Sequence, residues 1–115
     1  MNELTQGKKE IFLWLLRLRK RLRVTGASML PLLQPGDEIL FDPRAYVEKR
    51  PQIDDIVVAW HPEKSDLKIV KRVVDVREDG RCQLQGDNKR ESSDSRHFGL
   101  VRPEQLLGRV TGRFF

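Results

Sequence analysis

The stretch Leu67-Lys68-Ile69-Val70-Lys71-Arg72-Val73-Val74-Asp75-Val76 sets the reading of this chain. It is dense in β-branched residues, and in a strand successive side chains point to opposite faces, so Leu67, Ile69, Lys71 and Val73 share one face. Arg72 falls on the other, with Val70 and Val74. Outward from this run lie further short apolar runs at Glu38–Phe41, Ile56–Trp60, Arg81–Gln85 and Leu107–Thr111. Turn residues separate them at Pro35-Gly36-Asp37, His61-Pro62-Glu63, Glu78-Asp79-Gly80 and Gly86-Asp87-Asn88. The spacing predicts a mainly β domain over residues 24–115, built as a compact barrel-like sheet. Pro103–Leu106 is expected to form one helical turn, and Pro43–Pro51 a connecting loop.

Before Val24 the pattern differs. Ile11–Leu16 is an unbroken apolar run, followed by Arg17, Leu18, Arg19, Lys20, Arg21, Leu22 and Arg23. Ile11, Leu15, Leu18 and Leu22 line one face of a helix, which predicts an amphipathic basic helix within residues 1–23. Six apolar residues are too few for a hydrocarbon core that needs about twenty. A secretory signal would carry its positive charges before the apolar run. The expected roles of residues 11–23 are docking on the domain or on a second copy, or peripheral contact with an anionic membrane surface. A small basic β domain that binds nucleic acid is the non-enzymatic alternative, with Arg17–Arg23 as its electrostatic arm. Phe41, Trp60 and Phe98 are scattered and suit a core better than a stacking platform, so no specific nucleic-acid partner is expected.

At 115 residues, with 38% hydrophobic and 34% charged, the chain has the composition of one soluble globular domain. The single cysteine, Cys82, has no partner within the chain, so no disulfide framework is expected and a reducing cytoplasm fits. The net charge of +5 favours an acidic partner.

Chemistry enters at Val24-Thr25-Gly26-Ala27-Ser28-Met29-Leu30-Pro31, where a strand ends in a glycine-containing turn that presents a serine. A turn serine is ordinarily a local hydrogen-bonding residue. To act as a nucleophile it needs a base. His61 and His97 read as exposed loop residues, which argues against a histidine triad. Lys71, flanked two residues either way by Ile69 and Val73, reads either as a surface lysine or as an amine whose ammonium form burial disfavours, which makes it a usable base. Arg72 stays protonated and suits an ion pair. The polar loop Gly86–Arg96 can supply more: Asp87 to reach Arg72, Asp94 to pair with Arg96, and the Ser92 hydroxyl to hold a neutral Lys71 amine. One cysteine and two separated histidines give no zinc-type spacing, so neither metal nor cofactor is expected.

Together, Gly26-Ala27-Ser28-Met29-Leu30-Pro31, Ile69-Val70-Lys71-Arg72-Val73-Val74 and Gly86-Asp87-Asn88 through Asp94-Ser95-Arg96 resemble, in order and spacing, the signal peptidase I clan of serine-lysine proteases, peptidase family S26. The resemblance implies a signal-peptidase-like catalytic β domain. Ser28 is then the nucleophile, Lys71 the general base, the Ser28 backbone N–H an oxyanion donor, and Ser92 the residue that orients the lysine. Arg72, Asp87, Asp94 and Arg96 are implied as supporting ion-pair residues. Gly26 stands where some leader peptidases carry a serine that assists the oxyanion hole, which shifts that load to backbone donors. Leu32 and Lys89-Arg90-Glu91 also depart from the usual pattern. Only Asp75–Gln85 separates the second and third boxes, where leader peptidases insert a second β domain. In length, anchorless N-terminus and box sequence the chain is most similar to the nickel-type superoxide dismutase maturation proteases. That implies a cytoplasmic protein whose partner is a precursor with an N-terminal extension. A nickel site that uses the chain's own α-amine cannot form until a peptide bond is cut. A general leader peptidase trimming exported proteins is the alternative. A self-cleaving repressor is disfavoured, because the first 27 residues hold no Ala-Gly or Cys-Gly dipeptide and are too short for a helix-turn-helix module.

Overall fold

Ile56-Val57-Val58-Ala59 is apolar at every position, so as a strand it must be covered on both faces. The computed structural model, which describes residues 5–6, 8–88 and 99–114, puts this run at the centre of a mixed sheet. In chain order the elements are β1 (Thr5–Gln6), α1 (Lys8–Leu15), β2 (Lys20–Arg23), β3 (Glu38–Asp42), β4 (Ile56–Trp60), β5 (Lys68–Val76) and β6 (Cys82–Gln85). A 3-10 turn at Pro103–Gln105 and β7 (Leu106–Phe114) complete them. The sheet order is β2-β3-β7-β4-β5-β6, antiparallel throughout except that β1 lies parallel to β7. The mainly β expectation is met, and β3 to β6 lie within one residue of the runs read from sequence. The last strand extends beyond Leu107–Thr111 at both ends.

Alternation along β4 divides the interior in two. Ile56 and Val58 join a cluster with Val24, Met29, Leu33, Ile39, Phe41 and Val110 on one face. On the other, Val57 and Ala59 pack with Val73, Cys82, Leu84 and Val101. Full burial of a valine or leucine contributes about 1.5–3 kcal/mol each relative to exposure, so these clusters fix the register of the central strands. Gly108 permits the close approach of β7 to β3, because a Cβ there would sit 2.8 Å from the Phe41 ring.

The N-terminal segment departs from expectation. The helix stops at Leu15, Arg17 takes a left-handed conformation (φ 63°), and Lys20–Arg23 forms β2, paired with β3 from Lys20↔Phe41 to Arg23↔Glu38. Leu18 and Leu22 therefore do not extend a helical stripe: Leu22 packs on the core from a strand, while Leu15 and Leu18 are 66% and 48% exposed. The physical reason is the open edge of β3, whose backbone groups pair with whatever extended chain lies beside them. Arg21 seals the arrangement with a fork of hydrogen bonds to the Glu38 carboxylate while its guanidinium lies 5.7 Å from the Trp14 ring centroid.

An eight-residue helix is too short to be stable alone. Its anchor is Glu10, only 4% exposed, whose carboxylate accepts hydrogen bonds from Arg19 Nε (3.2 Å) and from the Thr111 hydroxyl of β7. Arg19 also lies 3.9 Å from Asp42 Oδ2. Removing the carboxylate leaves Arg19 partly buried without that acceptor, so Glu10→Ala is expected to lower stability by about 1–3 kcal/mol in urea unfolding, with Glu10→Gln recovering part of the loss. An Ala variant as stable as wild type would show that the helix is held by other contacts.

Candidate active site

The serine turn is fixed from both sides by buried apolar residues. Val24 exchanges backbone hydrogen bonds across Pro35-Gly36-Asp37: its N–H donates to Asp37 O (2.8 Å), and Gly36 N–H donates to Val24 O (2.7 Å). Gly36 has φ 93°, a conformation that favours glycine. Met29 and Leu33, 1% and 0% exposed, plug the first core cluster and are linked by Leu33 N–H to Met29 O. Burying Met29 leaves its neighbour Ser28 at the partly exposed surface of the turn. At Gly26 an added Cβ would meet nothing within 4 Å, so this glycine leaves open space at the turn and is not required by close packing.

Lys71 sits on β5 opposite Val57 of β4 and is 5% exposed, in keeping with its place between Ile69 and Val73. Arg72, on the opposite face, carries a two-pronged ion pair: Nε and Nη2 donate to Asp87 Oδ1 and Oδ2, both at 2.8 Å. The Asp87 hydrogen bonds raise the guanidinium's affinity for its proton. Arg72 Nη1 also reaches Asp54 O at 3.4 Å, tying β5 to the turn before β4. Asp54 itself has φ 78°.

Asp87 is joined in sequence to Asn88, and Asn88 clamps the serine turn. Its N–H donates to Ser28 O (2.7 Å), and its Nδ2 donates to Ala27 O (3.1 Å). The three segments singled out in the sequence are therefore physically linked: Asn88 on Ala27-Ser28, and Asp87 on Arg72 beside Lys71. The Arg72–Asp87 contact was legible as an option; the Asn88 clamp was not. An Asn after an Asp in a turn is too common to signal a contact with residues some sixty positions away. Ser92, Asp94 and Arg96, and also His97, lie outside the described residues.

Ser28, Gly26 and Lys71 line one groove of about 630 Å³. Its walls are Leu22–Gly26 on one side and Asp66–Lys71 on the other, with Met29 and Trp60 contributing. Among the described residues no strand pairs with the outer edge of β2, and β6 pairs with β5 only from Arg72 onward. Among the described residues, β2 and the first half of β5 are thus sheet edges that no further strand pairs, and both line the groove that holds the serine and the lysine.

Two other side chains with reactive groups serve structure. His61 is not the exposed loop residue expected: it is 9% exposed, and its Nδ1 accepts the N–H groups of Glu63 and Lys64 at 3.0 and 3.1 Å. Those bonds place the ring proton on Nε2, and burial lowers the ring's affinity for a second proton. The β4–β5 hairpin uses its histidine as a turn cap, a role that a His-Pro dipeptide does not announce. Cys82 is fully buried, and burial pushes its thiol up to about 11, far from thiolate chemistry at neutral pH.

Comparison with known proteins follows the same lines. The sequence model of the family described as "Signal peptidase, peptidase S26" matches residues 11–79 and 75–115. The chain belongs to this family. It is 34% identical over 112 residues to the mitochondrial ATP-independent inner membrane protease subunit 1b of Arabidopsis thaliana, covering 76% of this chain and 65% of that protein. It is 32% identical over 118 residues to the mitochondrial inner membrane protease subunit 2 of Danio rerio, covering 84% and 62%. A probable signal peptidase I-1 of Synechocystis is 25% identical over 135 residues, covering 80% and 69%. The chain thus spans just under two-thirds of the length of the two mitochondrial relatives.

The Arg72–Asp87 pair makes a specific prediction. Asp87→Ala is expected to cost about 1–3 kcal/mol of stability and to speed amide hydrogen exchange at Asn88, because the segment after β6 loses its anchor on β5. Unchanged exchange at Asn88 would show that the clamp on Ser28 stands without the ion pair.

Proposed function

We propose that this protein is a serine endopeptidase with Ser28 as nucleophile and Lys71 as general base. The observation that carries the reading is the convergence of Ser28 and a nearly buried Lys71 on one groove, within a chain of the signal peptidase family. In the proposed reaction the neutral Lys71 amine takes the Ser28 hydroxyl proton as Oγ bonds to the scissile carbonyl carbon. The oxyanion is stabilised by the Ser28 N–H. The carbon–nitrogen bond then breaks as Lys71 returns the proton to the leaving amine, and water, deprotonated by the same lysine, releases the acyl group. Ser92 is assigned to orient Lys71, with Asp94 and Arg96 as a supporting pair. Arg72 and Asp87 hold the framework. No step calls on a metal or cofactor.

The two groove-lining edges that no described strand pairs support an extended peptide as substrate, since strand addition at a sheet edge supplies backbone hydrogen bonds. The substrate class is a protein precursor with an N-terminal extension. Within that class the chain's box sequences favour the nickel-type superoxide dismutase precursor, with precursors of exported proteins as the alternative. Incubation with either precursor, read by intact mass, tests both. A single truncation is expected with wild type, a loss of at least about a thousandfold in Ser28→Ala and Lys71→Ala, and turnover that rises with pH as the lysine sheds its proton. Full activity in Lys71→Ala would remove the dyad.

Peripheral membrane contact belongs to the same proposal. No helix among the described residues is long and apolar enough to cross a membrane. Phe12, Leu15, Leu16 and Leu18 are 60%, 66%, 52% and 48% exposed, and Lys8, Lys9, Arg17 and Lys20 around them are exposed too. Apolar side chains ringed by cations suit the headgroup region of an anionic bilayer. Co-sedimentation with vesicles containing about one-third anionic lipid is expected for wild type and is lost in the Phe12→Ser/Leu15→Ser double variant. Equal binding by both would dismiss the contact.

A further inference from the structure

The groove has a charge pattern that the proposed cleavage chemistry does not use. On the β2 wall Arg23 is exposed, directly before Val24, and on the β5 wall Lys68 is exposed at the first position of the strand. Neither forms an ion pair among the described residues. Glu38, the cross-strand partner of Arg23, already has its carboxylate engaged by Arg21. Lys68 is held in place: its ammonium lies 5.4 Å from the centroid of the Trp60 ring, its neighbour across the β4–β5 pair. A cation fixed against an aromatic face loses little freedom when it meets an anion. Asp66 is the one carboxylate among the described groove-lining residues, and two cations on opposite walls outweigh it there.

The position of this pair along the groove is set by strand geometry. Lys68 precedes Lys71 by three residues, which at about 3.3 Å per residue is about 10 Å along β5. A peptide extended in the groove advances at the same rate, so the residue facing Lys68 is about three positions from the bond presented to Ser28. We propose that Arg23 and Lys68 form a specificity element that favours an acidic side chain on the substrate about three residues from the scissile bond. This rests on the reading of Ser28 and Lys71 as a peptidase centre and adds which peptides that centre accepts.

The test uses the full chain and a mixture of synthetic twelve-residue peptides randomised at every position, with cut sites read by mass spectrometry. Matched peptides carrying Glu, Gln or Lys at the selected position then give kcat/KM values. Wild type is expected to enrich Asp and Glu at one position two to four residues from the cut, and to prefer the Glu peptide over the Lys peptide by about three- to tenfold at low salt. The preference should shrink in about 0.5 M NaCl. Arg23→Glu/Lys68→Glu should invert it, and Arg23→Gln/Lys68→Gln should abolish it. Each preference is a ratio measured with one enzyme preparation, so partial misfolding of a variant cancels. Cuts by wild type with no acidic enrichment, or a preference that survives charge reversal, would overturn the specificity element and leave the peptidase reading intact. Absence of any cut beyond the Ser28→Ala background would refute the peptidase reading and the inference with it.

Discussion

The burial of β4 on both faces is the constraint from which the rest of the architecture follows. A strand without a polar face needs apolar cover above and below and a hydrogen-bonding neighbour on each edge. β7 and β5 supply the edges, and the two core clusters supply the faces. Once β5 is paired to β4 from Ile56↔Arg72 to Trp60↔Lys68, its alternation is fixed, and with it the burial of Lys71 and the outward reach of Arg72. A slip of one residue would put the guanidinium where the lysine belongs.

The candidate site is assembled by polar contacts laid over that frame. Arg72 holds Asp87, and Asn88, one residue further, holds the carbonyls of Ala27 and Ser28. The serine turn is braced independently by Met29 and Leu33 in the core. One apolar plug and one polar clamp thus hold the Ser28 turn, the kind of rigid support that the nucleophile role proposed for Ser28 requires. The groove walls come from strands at distant positions in the chain, β2 and the first half of β5, which do not pair with each other among the described residues.

The N-terminal segment shows how periodicity can mislead. Ile11, Leu15, Leu18 and Leu22 satisfy a helical stripe, yet Arg17-Leu18-Arg19-Lys20-Arg21-Leu22-Arg23 also reads with a period of two. The strand prevails at Lys20–Arg23 because β3 offers an open edge and Glu38 a carboxylate for Arg21, and neither is visible locally. The role of Glu10 is invisible locally for the same reason: its partners, Arg19 and Thr111, are separated from it by nine and 101 positions.

The sequence by itself determined the β character of the chain, the strands β3 to β6, the face on which Lys71 and Arg72 lie, and the residue types available for chemistry. These are properties of short windows, where side-chain alternation and turn residues act on the backbone directly. Only the tertiary structure decided that residues 20–23 form a sheet edge, that His61 caps a turn, that Asn88 grips the serine turn and that Ser28 and Lys71 share a groove. Each of these depends on which distant backbone edges and polar groups meet, and that is settled by burying β4 and satisfying its neighbours, not by any local pattern.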